Sequence, residues 1–271
     1  MSNKIVKAYS NRDFLNSHGA RPIRVQCELI EPELRLAEEG IQNTIVFFGS
    51  ARSKPLNIAQ EELNEFNKKH HKSQNLNQDD TEELLQRKRI VKLSKYYDEA
   101  VLLSSKLTEW SDNLKDPAKK YYVCSGGGPG MMEAANKGAS EVNGKSVALG
   151  ISLPFEQGVN SYATPELSFE FHYFFLRKFY FLYHAKAVIV FPGGFGTMDE
   201  LFETLTLIQT KKLNKQMPII LYGKEFWEDL INFEQFIKWG VISPKDVDLF
   251  KIVDDVNDAF SIITSNLSHS E

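Results

Sequence analysis

Two glycine clusters, each entered from an apolar run and left through a helical one, are the residues of this chain best suited to chemistry: SGGGPGMMEAANKGA around Gly126, Gly127, Gly128 and Gly130, and FPGGFGTMDELFE around Gly193, Gly194 and Gly196. Glycine lets the backbone approach an anion closely and present N–H groups, and a following helix adds the positive end of its dipole, so phosphate is the natural guest. Neither cluster is a dinucleotide fingerprint, because Met131 stands where G-x-G-x-x-G needs glycine, and no G-x-x-x-x-G-K-[ST] occurs. One such cluster is as easily a tight strand-to-helix turn. Two at equivalent junctions favour a ligand site.

Glu200 follows Thr197 by three residues, the spacing of a capping box in which the carboxylate satisfies its own helix terminus. A carboxylate beside a glycine-lined anion site can also stabilise a sugar cation or activate a water, and that reading leads, with Asp199 and Glu203 its nearest competitors. The run YFFLRKFYFLYHA is so aromatic that its helix is expected to be largely buried, which leaves Arg177 and Lys178 in need of an anion. A snorkelling surface role is the alternative. His172 and His184 are expected to pack with one hydrogen bond each. His70 and His71 point about 100° apart on a helix and have no carboxylate and cysteine set to complete a metal site.

These side chains need a scaffold, and the pattern supplies one. TIVFFGS (44–50) reads as a buried strand entering a loop; YYVC, SVALGISL, AVIVF and PIILYG repeat that pattern, LSFEF is extended, and helical runs separate them, with helices from there to the end. Short apolar strands alternating with helices predict an α/β fold, a Rossmann-like doubly wound parallel sheet with right-handed crossovers, in which both glycine loops emerge at the carboxyl edge where ligands bind. Residues 1–40 read as an N-terminal extension whose helix stops at Gly40, and 41–271 as a single Rossmann-like domain, interrupted by a polar, helical insertion at about 54–95.

The chain has 271 residues and a formal charge of −4, which supplies no basic face for nucleic acid. Its two cysteines, Cys27 and Cys124, have no paired spacing, which argues against a zinc cluster and a disulfide scaffold. No window approaches the unbroken apolar length of a membrane span, and no signal-peptide core opens the sequence. A cytoplasmic protein with a small-molecule partner is expected.

The segments SGGGPGMMEAANKGA, FFLRKF and PGGFGTMDE together resemble the LONELY GUY family of phosphoribohydrolases, formerly labelled lysine decarboxylases. The resemblance runs from about Thr44 to the C-terminus and is most specific at PGGxGTxxE, met in full by Pro192, Gly193, Gly194, Gly196, Thr197 and Glu200. It implies a homodimer or larger assembly that hydrolyses a nucleoside 5′-monophosphate to free base and ribose 5-phosphate without metal or redox cofactor. It also implies catalytic roles for Arg177 and Glu200, and substrate contacts from Gly49, Ser50, Gly126, Gly127, Gly128, Gly130, Met131, Glu133, Lys178, Gly193, Gly194, Gly196 and Thr197. Phe175 and Leu176 stand where the family commonly has histidine and glutamate, which bears on the base accepted. The extra segments resemble a longer bacterial branch near the AMP nucleosidases, so AMP is the preferred substrate. A Schiff-base lysine in an S-x-H-K context is missing: the His71-Lys72 pair follows Lys69 and His70. A binding-only protein of the same fold, a nucleotide sensor or molybdenum-cofactor carrier, and a ribosyl-phosphate transferase are the rival readings.

Overall fold

The computed structural model describes residues 5–70, 76–153 and 158–269. In chain order they form α1 (Arg12–Asn16), α2 (Arg21–Glu38), β1 (Thr44–Phe48), α3 (Leu56–His70), α4 (Gln78–Asp112), β2 (Tyr122–Ser125), α5 (Met131–Glu141), β3 (Ser146–Ile151), β4 (Ser168–Phe171), α6 (Phe174–Tyr183), β5 (Ala185–Val190), α7 (Phe195–Gln209), β6 (Ile219–Tyr222), α8 (Lys224–Leu230), α9 (Phe233–Lys238), β7 (Lys251–Val253) and α10 (Val256–His269). The strands make one seven-stranded sheet in the order β4-β3-β2-β1-β5-β6-β7, parallel at every pairing. This is the doubly wound α/β architecture. The chain winds outward from β1 in one direction and then returns to its other side with β5, so the loops after β1 and β5 diverge at the switch point and leave a crevice between them.

Strands β1, β3 and β6 are buried throughout, and alternate residues of the sheet feed two cores. In β1, Val46 and Phe48 join Leu36 of α2, Phe181 of α6, Leu201 of α7 and Trp227 of α8 on one face. Ile45 and Phe47 join Tyr97 and Leu103 of α4, the alanines of α5 and Ile263 of α10 on the other. The α5 face is small for a reason: a Cβ on Gly138 would lie 2.2 Å from the Val101 carbonyl of α4.

Three expectations change. The C-terminal part is not all helix, because Lys251–Val253 adds a seventh strand at the sheet edge. Three residues are too few to display a period of two. The aromatic helix α6 is buried along one side only, through Leu176, Tyr180, Phe181 and Leu182, whereas Phe174, Phe175, Phe179 and Tyr183 are 42–53% exposed. His172 is exposed rather than packed in the core. The other histidines are conventional: His184 lies 3.2 Å from Glu33, and His70 stacks on Phe66, while His71 and Lys72 fall outside the described residues. Cys27 and Cys124 are both free.

The polar stretch after β1 is helix α3, which lays Ala59 and Phe66 into the structure and packs along the 35-residue α4. The segment before residue 41 is docked on the sheet: Arg35 donates to the Ser168 carbonyl of β4 and sits over the Phe169 ring, and Gly40 takes φ +72° to turn the chain into β1.

Candidate active site

β5 delivers the chain to Phe191 and Pro192, and α7 begins at Phe195 with Gly194 as its N-cap. Thr197 is therefore the third residue inside the helix, not its cap, and the capping box suggested by the Thr197–Glu200 spacing does not form. Glu200 is 8% exposed, and its Oε2 has no hydrogen-bond partner among the described residues. Burial pushes its carboxyl up to about 7, against the pull of Lys178 and Arg177. Its two competitors are occupied: Lys178 Nζ lies 2.9 Å from Asp199 and 2.8 Å from Glu203. Lys178 thus ties α6 to α7 and is not among the residues lining the cavity that Glu200 faces.

That cavity encloses about 770 Å³ at the switch point, within the range of small-ligand sites. Its lining brings together Gly49, Ser50, Gly126, Arg177, Gly193, Gly194, Gly196, Thr197 and Glu200 from the sequence-derived set. Arg177 reaches it from α6, with Nε donating to the Leu149 carbonyl at 2.7 Å and the guanidinium 5.1 Å from the Phe181 ring. A Cβ on Gly126 would stand 2.3 Å from Arg177 Nη2, so glycine there makes room for the arginine. The first-turn N–H groups of α7 have no carbonyl acceptor within their own helix and carry the positive end of its dipole.

Gly127, Gly128, Gly130, Met131 and Glu133 lie outside the cavity wall. The Gly127 and Gly128 carbonyls are held by Asn160 Nδ2, and Gly127 N–H donates to Ser125 Oγ. Gly130, at φ +71°, packs against the Ser50 carbonyl, which accepts from Met131 N–H at 3.0 Å. Met131 is 1% exposed and fills the space beneath Gly49. Glu133 accepts from Tyr97 O–H at 2.6 Å, on the α4 side. Met131 therefore packs beneath the first loop, and Glu133 anchors α5 to α4.

Sequence reasoning missed Arg52, Leu93, Met132, Phe226 and Leu230, all in the cavity wall. Arg52 was findable, because it follows Ser50 in the loop that the switch point exposes. Leu93, Phe226 and Leu230 were not, since only the fold brings α4 and α8 to this crevice. Among the described residues no group of three or more His, Cys, Asp and Glu side chains could hold a metal. No described helix is long and apolar enough to cross a membrane.

Residues 132–263, which carry Arg177, Glu200 and the whole second glycine motif, match the family model described as "Possible lysine decarboxylase", the LOG-type family. This part of the chain belongs to the LOG-type family. No curated protein matches this LOG-type chain. Among solved structures it is similar to the structural genomics target TM1055, at 20% identity over 82% of this chain and 99% of that one, with a TM-score of 0.47. It is also similar to the molybdenum cofactor binding protein of the phototrophic bacterium Rippkaea orientalis (15%, 83% and 96%, TM-score 0.48) and the Moco carrier protein of Chlamydomonas reinhardtii (15%, 84% and 99%, TM-score 0.44). Likenesses this distant bear on no residue of the site of the LOG-type chain.

Proposed function

We propose that this LOG-type protein hydrolyses the N-glycosidic bond of a nucleoside 5′-monophosphate, AMP by preference, to free base and ribose 5-phosphate. The observation that carries the reading is Glu200: a buried carboxylate poised near neutrality, with one unpartnered oxygen, faces a cavity beside the open glycine end of α7 and within electrostatic reach of Arg177. The phosphate lies on the first-turn N–H groups of α7, with Arg177 and Arg52 as counter-charges. As the C1′–N bond breaks, positive charge develops on C1′ and the ring oxygen, and ionised Glu200 stabilises it. The attacking water leaves its O–H on C1′ and gives its other proton to Glu200, while the base departs with the bond's electron pair and takes a proton from solvent, to which Glu200 then returns its own. The apolar wall of Leu93, Phe226 and Leu230 takes the flat base.

A carrier that only binds would gain nothing from a desolvated carboxylate held near neutrality, which favours an enzyme over the binding-only reading. Incubation with a panel of nucleoside monophosphates, followed by chromatography, should yield adenine and ribose 5-phosphate from AMP. Release of no base from any member would refute the reading, and a ribosylated acceptor in place of ribose 5-phosphate would make the protein a transferase.

We propose further that the protein is a homodimer joined through the exposed side of α6. Phe175, Phe179 and Tyr183 recur at i, i+4 and i+8 and are each 42–53% exposed, an apolar helix face of the kind that marks an interface. Sedimentation should give a dimer for the wild type and a monomer for Phe179→Asp; a wild-type monomer would overturn this assignment.

A further inference from the structure

The first glycine cluster is held by a polar network that lies outside the cavity wall. Asn136 of α5 is fully buried; its Oδ1 accepts from Ser125 Oγ at 2.7 Å and from Asn160 Nδ2 at 3.0 Å, and its Nδ2 donates to Ser146 Oγ at 2.9 Å. Asn160, in the connection between β3 and β4, also donates from Nδ2 to the carbonyls of Gly127 and Gly128, at 3.0 and 3.2 Å, and its backbone N–H donates to Gly127 at 2.7 Å. Its Oδ1 accepts from the Tyr162 N–H. Three acceptors thus surround one amide NH2, an arrangement that only a donor with more than one proton satisfies.

The loop so held forms one side of the Arg177 seat. The guanidinium lies against Gly126, where a Cβ would stand 2.3 Å from Nη2, while Nε donates to the Leu149 carbonyl of β3. Gly127 presses on the neighbouring β3 residue, with Ala148 Cβ 3.0 Å from where its own Cβ would be. Successive glycines have the most conformational freedom to lose, so the position of this side depends on the bonds made to it. Asn160 itself is not among the described residues that line the cavity.

We propose that Asn160 is a positioning residue: by holding the carbonyls of Gly127 and Gly128 it fixes the loop against which Arg177 packs, and with it the aim of Arg177 at the substrate phosphate. The kinetic consequence rests on the hydrolytic reading. The geometric one does not, because Arg177 also acts on Glu200. Burial raises the Glu200 pKa, Lys178 and Arg177 of α6 lower it, and Glu203 and Asp199 of its own helix raise it. A guanidinium freed from its seat lowers it less, so the titration of Glu200 moves to higher pH.

The experiment follows Asn160→Ala in the full chain by AMP kinetics against pH and by carbon-13 titration of the glutamate carboxyls, with Glu200→Gln to identify the resonance. At neutral pH kcat/KM should fall about 10²-fold, as a misplacement of ~1 Å can cost, with KM raised and the Glu200 titration shifted upward. Asn160→Ser keeps one donor; it should shift both readouts less in the same direction, and it stands in if Asn160→Ala folds poorly. Thr164→Val is the control: it removes the acceptor of the Ser146 N–H in the same connection without touching the glycine loop, and should leave both readouts at wild type. The proposal is overturned if the folded Asn160 variants titrate and turn over like the wild type, or if Thr164→Val moves both readouts as far. Release of no base by the wild type would refute the hydrolytic reading alone, and the Glu200 titration would still decide the role of Asn160.

Discussion

The two glycine clusters look alike in sequence and serve opposite ends in the fold. In the first, glycine is required by crowding: a Cβ at Gly127 would meet Val159 at 2.9 Å, and one at Gly130 would lie 2.3 Å from the Ser50 carbonyl, both at positive φ. In the second, Gly193 is crowded by its own Thr197, 2.1 Å from where a Cβ would stand, but Gly194 and Gly196 at the helix end have nothing within 4 Å of that point. The first cluster closes one loop on another so that Arg177 has a fixed seat. The second keeps a helix end bare for a ligand. Glycine content alone does not separate packing from access; the atoms around each missing side chain do.

The strongest way to test this contrast is chemical. Glu200→Gln preserves shape and removes the charge that the open cluster serves, so kcat should fall about 10²-fold or more with the fold intact, as losing one preorganised group does; turnover of AMP at the wild-type rate would refute the assignment. Next comes the contrast itself. Gly130→Ala should cost on the order of 3 kcal/mol in denaturant unfolding, from left-handed strain and overpacking together. Gly194→Ala and Gly196→Ala should unfold like the wild type, with Gly196→Ala up to about 1 kcal/mol more stable. Each should raise KM about tenfold, the worth of one good hydrogen bond to phosphate. Equal stability losses at all three positions would erase the distinction.

Glu200 also links site and stability. Its native pKa, about 7, exceeds the ordinary glutamate value of 4.5, so the native state holds this proton where the unfolded chain releases it. Stability from this group is complete below 4.5 and is lost as pH rises toward 7, while the rate rises through the same window because the ionised form does the work. Glu200→Gln should remove that slope and leave the protein more stable at pH 8 by up to about 3 kcal/mol; identical pH–stability curves for the two proteins would show that the carboxylate is not desolvated. The smallest effect concerns Lys178, which lowers the Glu200 pKa from across α7. Lys178→Met should move the acid limb of the rate profile to higher pH with KM unchanged, and Lys178→Arg should restore it.

Much of this was legible in advance. The parallel sheet followed from strands too apolar to face water, and Arg177 and Glu200 from charges set in glycine-rich or aromatic surroundings. Lys178 stays out of the cavity that Arg177 reaches because adjacent helix positions point about 100° apart, so neighbours in sequence meet different partners. Met131 and Glu133 lie outside the cavity wall because the helix that follows the first glycines turns those side chains toward Gly49 and Tyr97, which no local pattern reveals. Arg52, Leu93 and Phe226 meet only because β1, α4 and α8 converge at the switch point.

Helix α6 has no capping side chain of its own at Tyr173. Glu28, far upstream, accepts from the N–H groups of His172 and Tyr173, while Lys215 bonds the carbonyls of Leu182 and Tyr183 at the other terminus. The rod bearing Arg177 is thus pinned by opposite charges at its two poles, one of them borrowed from outside the family-matched residues 132–263. A gene trimmed to begin at residue 41 would lose that first pin, and the aim of Arg177 would loosen even where every letter of the family-matched segment was retained.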